Sequence, residues 1–352
     1  MKFEKYALRI GVASKDEIVD NTAIMISSLD SVVVGALRCY DVSPESTVTL
    51  INVSENTTYL VDDPRTGQRA ALRIHRPNYH SRESIESELC WLDALREDGV
   101  VEPPRAIAAR DGSRVITVAV EGDGPPRHIV MFEWLQGRAP DTDGDLVPSF
   151  RVLGTLAAKM HVHGTTWKPP AWFNRYSCDY DAALGTNAMW GRWQNGLGLG
   201  VPEQKILSRL DIALRDRLVE YGKRNDRFGL CHNDLRLTNL LVDGEHIHVI
   251  DFDDCGFGWY MYDFATAVSF YEADPRVRDW MDSWIAGYVE KRALSSSDAD
   301  IIPTLVMFRR LLLVGWVGSH HEYAKEAAAL GAEFTSVTCD LAEDYLVGKY
   351  LT

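Results

Sequence analysis

The sequence predicts an α+β fold: a small β-sheet lobe carrying one helix, followed by a larger, mainly helical lobe. Three observations lead there. Apolar residues alternate along 46–75 and again along 114–134, the period of half-buried strands. Beyond residue 145 the apolar spacing changes to three and four, the period of amphipathic helices. Between two of those helical stretches, residues 231–251 read CHNDLRLTNLLVDGEHIHVID, where short apolar runs flank a turn and polar residues gather around it.

The elements follow in order. Residues 1–40 are weakly patterned and are assigned as an N-terminal helical extension. The stretch 46–61 (STVTLINVSENTTYLV) alternates as a strand, 62–67 is a turn, and 69–75 is a second strand. After Pro77 the residues Ile85, Glu88, Leu89, Leu92 and Leu95 carry helical spacing. Strands at 114–120 and 128–134 flank the Gly/Pro-rich turn 121–126, which completes a lobe at 41–135. The polar stretch 137–145 ends it. Residues 136–352 form the second lobe, with helices over 150–161, 207–223, 280–292, 302–323 and 334–350. Trp167, Trp172, Trp190 and Trp193 lie between the first two of these. We find no internal repeat.

Composition narrows the function. At 352 residues the chain suits two packed lobes. Lys+Arg 37 against Asp+Glu 51 gives −14, which argues against a nucleic-acid surface; it is compatible with a cationic acceptor, though an ordinary acidic soluble enzyme is the plainer reading. The six cysteines show no paired spacing and read as free, mostly buried thiols of a reducing cytosol. No basic segment leads into an apolar run at the start, and the apolar stretch 22–37 is broken by serines and Asp30. A cytoplasmic location with no membrane partner is therefore expected.

The segment 231–251 carries the chemistry. Asp234, with Asn239 five residues on and Asp251 after a hairpin, is the order of parts used in kinase-type phosphoryl transfer. A carboxylate at Asp234 suffices to orient an attacking hydroxyl and take its proton. Asn239 offers an amide oxygen and Asp251 a hard anionic one, ligands that suit Mg2+. Asp253 would share the strand face of Asp251 and assist. His232 braces the loop by hydrogen bonds. A polar turn whose side chains only cap backbone groups is the plain alternative, and the VIDFDD that follows weighs against it.

HNDLRLTNLLV with VIDFDDCGFGWYMYDFA resembles the aminoglycoside phosphotransferase family, related to choline and homoserine kinases and built on the bilobal protein-kinase-like fold. The resemblance runs from about Asn52 to Asp263. It implies Asp234 as base, Asn239 and Asp251 as metal ligands, Asp263 as a structural buttress and His161 as a packing residue near the loop. Asn233 stands where the family usually has glycine and Arg236 where many members have histidine. In the small lobe the resemblance places the nucleotide on Arg73, in place of the usual lysine, with Glu88 as its helix partner. A turn containing Ser54 and Asn56 would cover the phosphates, and backbone at Glu133 and Leu135 would meet the purine. Arginine can hold phosphate through a bidentate fork.

The reading is an Mg2+-dependent O-phosphotransferase moving the γ-phosphoryl of ATP or GTP to the hydroxyl of a small acceptor. An antibiotic comes first as acceptor, an amino alcohol or homoserine-like metabolite second. A stress-response Ser/Thr protein kinase is a further class, disfavoured because no long activation segment follows Asp251, and a nucleotide-binding regulator without turnover is another. The pattern predicts an acceptor product heavier by one phosphoryl unit in a mass-spectrometric screen, lost in Asp234→Asn. Product formation by that variant at the unaltered rate would remove Asp234 from the chemistry.

Overall fold

The computed structural model describes residues 20–53, 55–120, 124–322 and 324–351. The chain divides into two compact units. One takes in the residues up to Ala94 with Pro103–Gly137 and Pro170–Asn174; the other holds Leu95–Glu102, Arg138–Pro169 and Arg175–Thr352.

The first unit is built on α1 (Asp20–Leu37), β1 (Thr47–Val53), β2 (Thr57–Asp63), β3 (Gln68–Ile74), α2 (Arg82–Glu97, whose last turn belongs to the other unit), β4 (Ala106–Ile107), β5 (Ile116–Val118) and β6 (Arg127–Glu133). The strands form one antiparallel sheet in the order β1-β2-β3-β6-β4, with β5 also on β6. The stretch 46–61, expected as a single strand, is two strands. No glycine or proline marks the reversal, and the alternation of β1 resumes in β2 after a register shift between Leu50 and Asn52, so period alone hides the turn.

Tyr59 and Val61 of β2, Leu72 and Ile74 of β3, and Ile129 and Met131 of β6 point into one apolar core. Leu29, Val32, Val33 and Ala36, at helical spacing on α1, pack into the same core with Tyr40. This helix, assigned from sequence to an extension, is thus part of the sheet's own core. The rest of that assignment, residues 1–19, lies outside the described residues.

The second unit contains α3 (Val147–Thr166), α4 (Tyr180–Leu184), α5 (Val201–Tyr221), β7 (Phe228–Cys231), β8 (Leu240–Asp243), β9 (His246–Val249), β10 (Gly256–Trp259), α6 (Tyr262–Ala267), α7 (Val277–Tyr288), α8 (Ser296–Asp300), α9 (Ile302–His320) and α10 (Lys325–Leu346). Two small antiparallel ladders, β7 with β10 and β8 with β9, sit among these helices. α9 is apolar on every face. Within Ser296–His320 an 18-residue window has a mean hydropathy of 1.6, enough by length and composition to cross a bilayer, yet 89% of that window is buried, as in a core helix. All six cysteines are free, and Cys178, Cys231, Cys255 and Cys339 are buried.

α3 and α7 pack at glycine contacts. A Cβ on Gly154 would lie 2.0 Å from Trp284 O, and one on Gly287 2.0 Å from Arg151 O. The two bare positions bring the backbones together, and Phe150 stacks on Trp280 beside them at 5.1 Å between ring centroids. Gly154→Ala should therefore force the helices apart and cost about 3 kcal/mol, read as a thermal midpoint lowered by several degrees. An unchanged midpoint would show that the contact is softer than its distances imply.

Candidate active site

Loop 232–239 runs from the end of β7 into β8, held at both ends by the two ladders. His232 is fully buried. Its Nε2 donates to Ile250 O at 3.1 Å and its Nδ1 accepts the Asp234 N–H at 3.3 Å. A neutral ring therefore ties the loop to the end of the hairpin. Burial lowers its pKa against the pull of Asp263 and Asp234, which keeps it neutral. The next residue, Asn233, has φ +62°, a conformation that glycine adopts freely and asparagine tolerates better than most. That accounts for a glycine or its nearest substitute at this place.

Asn233 donates its N–H to Asp263 Oδ1 at 2.8 Å. Asp263 Oδ2 accepts from His161 Nε2 at 3.0 Å, His161 Nδ1 accepts from Tyr288 OH at 3.0 Å, and Tyr288 OH accepts from Arg292 Nη1 at 2.7 Å. Burial lowers the His161 pKa, opposed by Asp263, so the imidazole is neutral and each donor in the chain meets one acceptor. His161 and His163 are accordingly engaged in separate contacts, His163 with Asp98 at 3.2 Å.

Asp234 is 7% exposed. Its Oδ1 accepts from Arg309 Nη2 at 3.0 Å; its Oδ2 accepts from Arg236 Nε at 3.0 Å and Asn239 Nδ2 at 3.1 Å. Burial pushes this carboxyl up, but Arg236 and Arg309 outweigh it and hold it below the usual carboxylate range. Asn239 Nδ2 also donates to Asp234 O at 2.8 Å. Its amide hydrogens are thus spent inside the loop, and Oδ1 is the atom not used there.

The Ile250 N–H donates to Asn239 O at 2.9 Å, which sets Asp251 one residue from the Asn239 backbone. Asp251 is exposed and has φ +62°. An amide oxygen and a hard carboxylate here are the donor chemistry of a small divalent cation. Asp253 was expected on the same strand face as Asp251. It is not: β9 ends at Val249, the left-handed Asp251 turns the chain, and strand alternation no longer applies. Asp253 is buried, and its main-chain oxygen accepts from Arg175 Nη2, whose Nε donates to Cys255 O at 2.5 Å.

In the first unit, Arg73 of β3 donates Nη2 to both carboxylate oxygens of Glu88 on α2, at 2.7 Å each, and lies 4.9 Å from the Phe132 ring centroid. Both residues are buried, so neither is an exposed strand charge or a solvated helix face. Asn56 is buried and accepts the Arg76 N–H at 3.1 Å, which pins the β1–β2 turn; Ser54 of that turn lies outside the described residues. The Glu133 side chain is exposed, but its main chain is engaged in the sheet. Its N–H donates to Arg105 O at 2.9 Å and the Trp134 N–H to Arg69 O at 3.3 Å, both within the sheet unit, while Leu135 follows the last ladder pair.

Sequence reasoning missed Arg309 and Glu326. Arg309 had a signal: two consecutive arginines inside the apolar run of α9, both buried in the structure. Glu326, in the first turn of α10, had none. Burial raises its pKa, Asp234 adds to the rise and Arg236 opposes it, which puts this half-buried carboxyl in the field of the loop. Of the tryptophans, Trp190 lies over Arg309 at 4.7 Å and Trp193 donates Nε1 to Asp211 Oδ2 at 3.1 Å.

A sequence profile of the phosphotransferase enzyme family matches residues 47–295. The amicoumacin kinase of Bacillus subtilis (strain 168) is 25% identical over 278 residues, 75% of this chain and 78% of that protein. The structure of a microcompartment-associated aminopropanol kinase is similar at a TM-score of 0.83 and 45% identity, covering 92% of this chain and 99% of that one. The amicoumacin kinase hAmiN, solved with AMP-PNP, Ca2+ and Ami, has a TM-score of 0.74 at 20% identity over 90% and 95% of the two chains, a likeness of fold. The fold is the protein-kinase-like one that the sequence resemblance implied.

A Cβ on Gly258 of β10 would lie 2.6 Å from Asn233 Oδ1, so the two positions are coupled. Asn233→Gly should leave stability near the starting value, whereas Asn233→Ala should cost about 1 kcal/mol for its left-handed backbone. Gly258→Ala should destabilise the chain markedly, and less so in the Asn233→Gly background. Equal costs in the two backgrounds of a denaturant-titration cycle would refute the coupling.

Proposed function

Since the chain belongs to the phosphotransferase enzyme family, and is a small-molecule kinase acting on a hydroxyl, we propose that it phosphorylates a short amino alcohol with ATP or GTP and Mg2+. The observation that carries this reading is 45% identity, over 92% of the chain, with an aminopropanol kinase. Asp234 orients the acceptor hydroxyl and receives its proton. Asn239 and Asp251 hold the metal, which when bound neutralises charge on the nucleotide phosphates, and Asp253 supports that end of the loop. Arg73, steadied by Glu88, holds the phosphates; Ser54 and Asn56 belong to the turn that covers them, and backbone near Glu133 and Leu135 meets the purine.

An amino alcohol brings an ammonium group a few bonds from its hydroxyl, so a carboxylate must lie close to Asp234. Glu326 answers that need. A half-buried carboxyl with a raised pKa is stabilised by an incoming cation, and the net charge of −14 favours such an acceptor. Antibiotic inactivation, placed first on sequence alone, is the second reading; its support is the 25% identity with amicoumacin kinase, and the 45% match reverses the order.

The test is a mass-spectrometric and steady-state screen of aminopropanol, ethanolamine, choline, aminoglycosides and amicoumacin with each nucleotide. Aminopropanol should have a kcat/KM at least about 100-fold above that of any antibiotic; the opposite ranking supports the second reading. Chelation should abolish turnover and Mg2+ restore it. Glu326→Gln should raise the amino alcohol KM by about tenfold, roughly 1.4 kcal/mol, with the nucleotide KM unchanged. An unaltered acceptor KM would release Glu326 from ammonium binding.

A further inference from the structure

An arginine buried in a core helix is costly unless its donors are met. Arg309 of α9 is 4% exposed, and each branch is engaged: Nε donates to Ser269 Oγ at 3.2 Å, Nη1 to Tyr262 OH at 3.2 Å and Nη2 to Asp234 Oδ1 at 3.0 Å. The Trp190 ring lies 4.7 Å from its guanidinium carbon. Trp190 is itself fixed to α9, because Ser319 Oγ donates to its main-chain oxygen at 2.7 Å. The other cation on Asp234 is held differently. Arg236 meets Oδ2 with a side chain that is 30% exposed.

The two oxygens of the Asp234 carboxylate are therefore unequal. Oδ1 is attached to a core helix, while Oδ2 is met by the loop's own Asn239 amide and by the partly solvated Arg236 side chain. We propose that Arg309 is a positioning residue, fixing Oδ1 so that Oδ2 is the oxygen offered to the acceptor hydroxyl. This rests on the reading of Asp234 as the group that orients the acceptor. In the step, the acceptor oxygen forms the new P–O bond and its proton passes to Oδ2. The bond from phosphorus to the bridging oxygen breaks, leaving its electron pair on the nucleoside diphosphate.

The neighbouring Arg310 provides an internal control. It is equally buried, but its partners are Glu272 Oε2 at 2.7 Å, Thr338 Oγ1 at 2.8 Å and Phe334 O at 3.2 Å, all remote in sequence from the loop. An arginine that only stabilises the core should behave as Arg310 does.

The experiment is steady-state kinetics on full-length Arg309→Lys, Arg309→Ala, Tyr262→Phe, Ser269→Ala, Arg310→Lys and Asp234→Asn proteins, with the folded fraction of each measured by thermal melting. Arg309→Lys should lose about 30-fold or more in kcat per folded molecule while both KM values stay within about threefold, because lysine keeps the charge but loses the fork. Millimolar guanidinium should restore part of the Arg309→Ala turnover. Tyr262→Phe and Ser269→Ala, which leave the ion pair but free its anchors, should lower kcat several-fold without moving KM. Arg310→Lys should lower the melting midpoint and leave kcat per folded molecule intact. Wild-type kcat in Arg309→Lys overturns the proposal. If the Arg309 variants fail to fold, wild-type kcat in both Tyr262→Phe and Ser269→Ala overturns it instead. Full activity in Asp234→Asn would defeat the underlying reading of Asp234, a separate outcome from failure of Arg309.

Discussion

The carboxylate of Asp263 is the fixed point on which loop 232–239 depends. It is fully buried, and one oxygen accepts the N–H of a residue held in a left-handed conformation. Without that acceptor the Asn233 N–H would be a buried donor facing a carboxylate-free interior, and the backbone turn would have no compensation. The turn in turn directs Asp234, the residue that follows. Behind Asp263 the chain of His161, Tyr288 and Arg292 ends at a partly buried guanidinium, so the charge buried at the loop is answered through neutral groups and reaches a cation of its own.

Electrostatics around Asp234 follow the same economy of pairing. Every oxygen of that carboxylate has a donor, and two arginines make the ionised form the stable one despite burial. A carboxylate so well solvated by fixed donors is a weak base. In the proposed reaction such a group would act chiefly by holding a hydroxyl in line and take the proton late, as a loose phosphoryl-transfer transition state requires. Hydrophobic packing supplies the rigidity: α9 carries Arg309 on a buried, mainly apolar helix, and the α3–α7 contact supports the helix that carries His161.

The local patterns were legible where one short segment carries the information. Asp234, Asn239 and Asp251 lie within eighteen residues, and the hairpin between them is written in alternating apolar residues and an Asp-Gly turn. The pairing of Arg73 with Glu88 was implied by the family resemblance. The β1–β2 reversal was hinted at only by the resemblance, which put a turn at 54–58; the alternation itself continues through it. Arg309 joins the loop from 75 residues away by counting along the chain, and no periodicity encodes such a meeting. The direction of Asp253 was not legible, because β9 ends at Val249 and strand alternation does not reach it.

Successive residues on an α-helix point about 100° apart around the axis. Arg309 and Arg310 are successive, and each is tied by several short bonds to a different part of the unit. A turn of α9 about its own axis would break both sets together, and a slide along it would pull both forks out of plane with their acceptors. The arginine pair therefore acts as a two-point keyway for the longest apolar helix of the fold. Smooth hydrocarbon surfaces alone can slip past one another at small cost, whereas this helix has one angular setting.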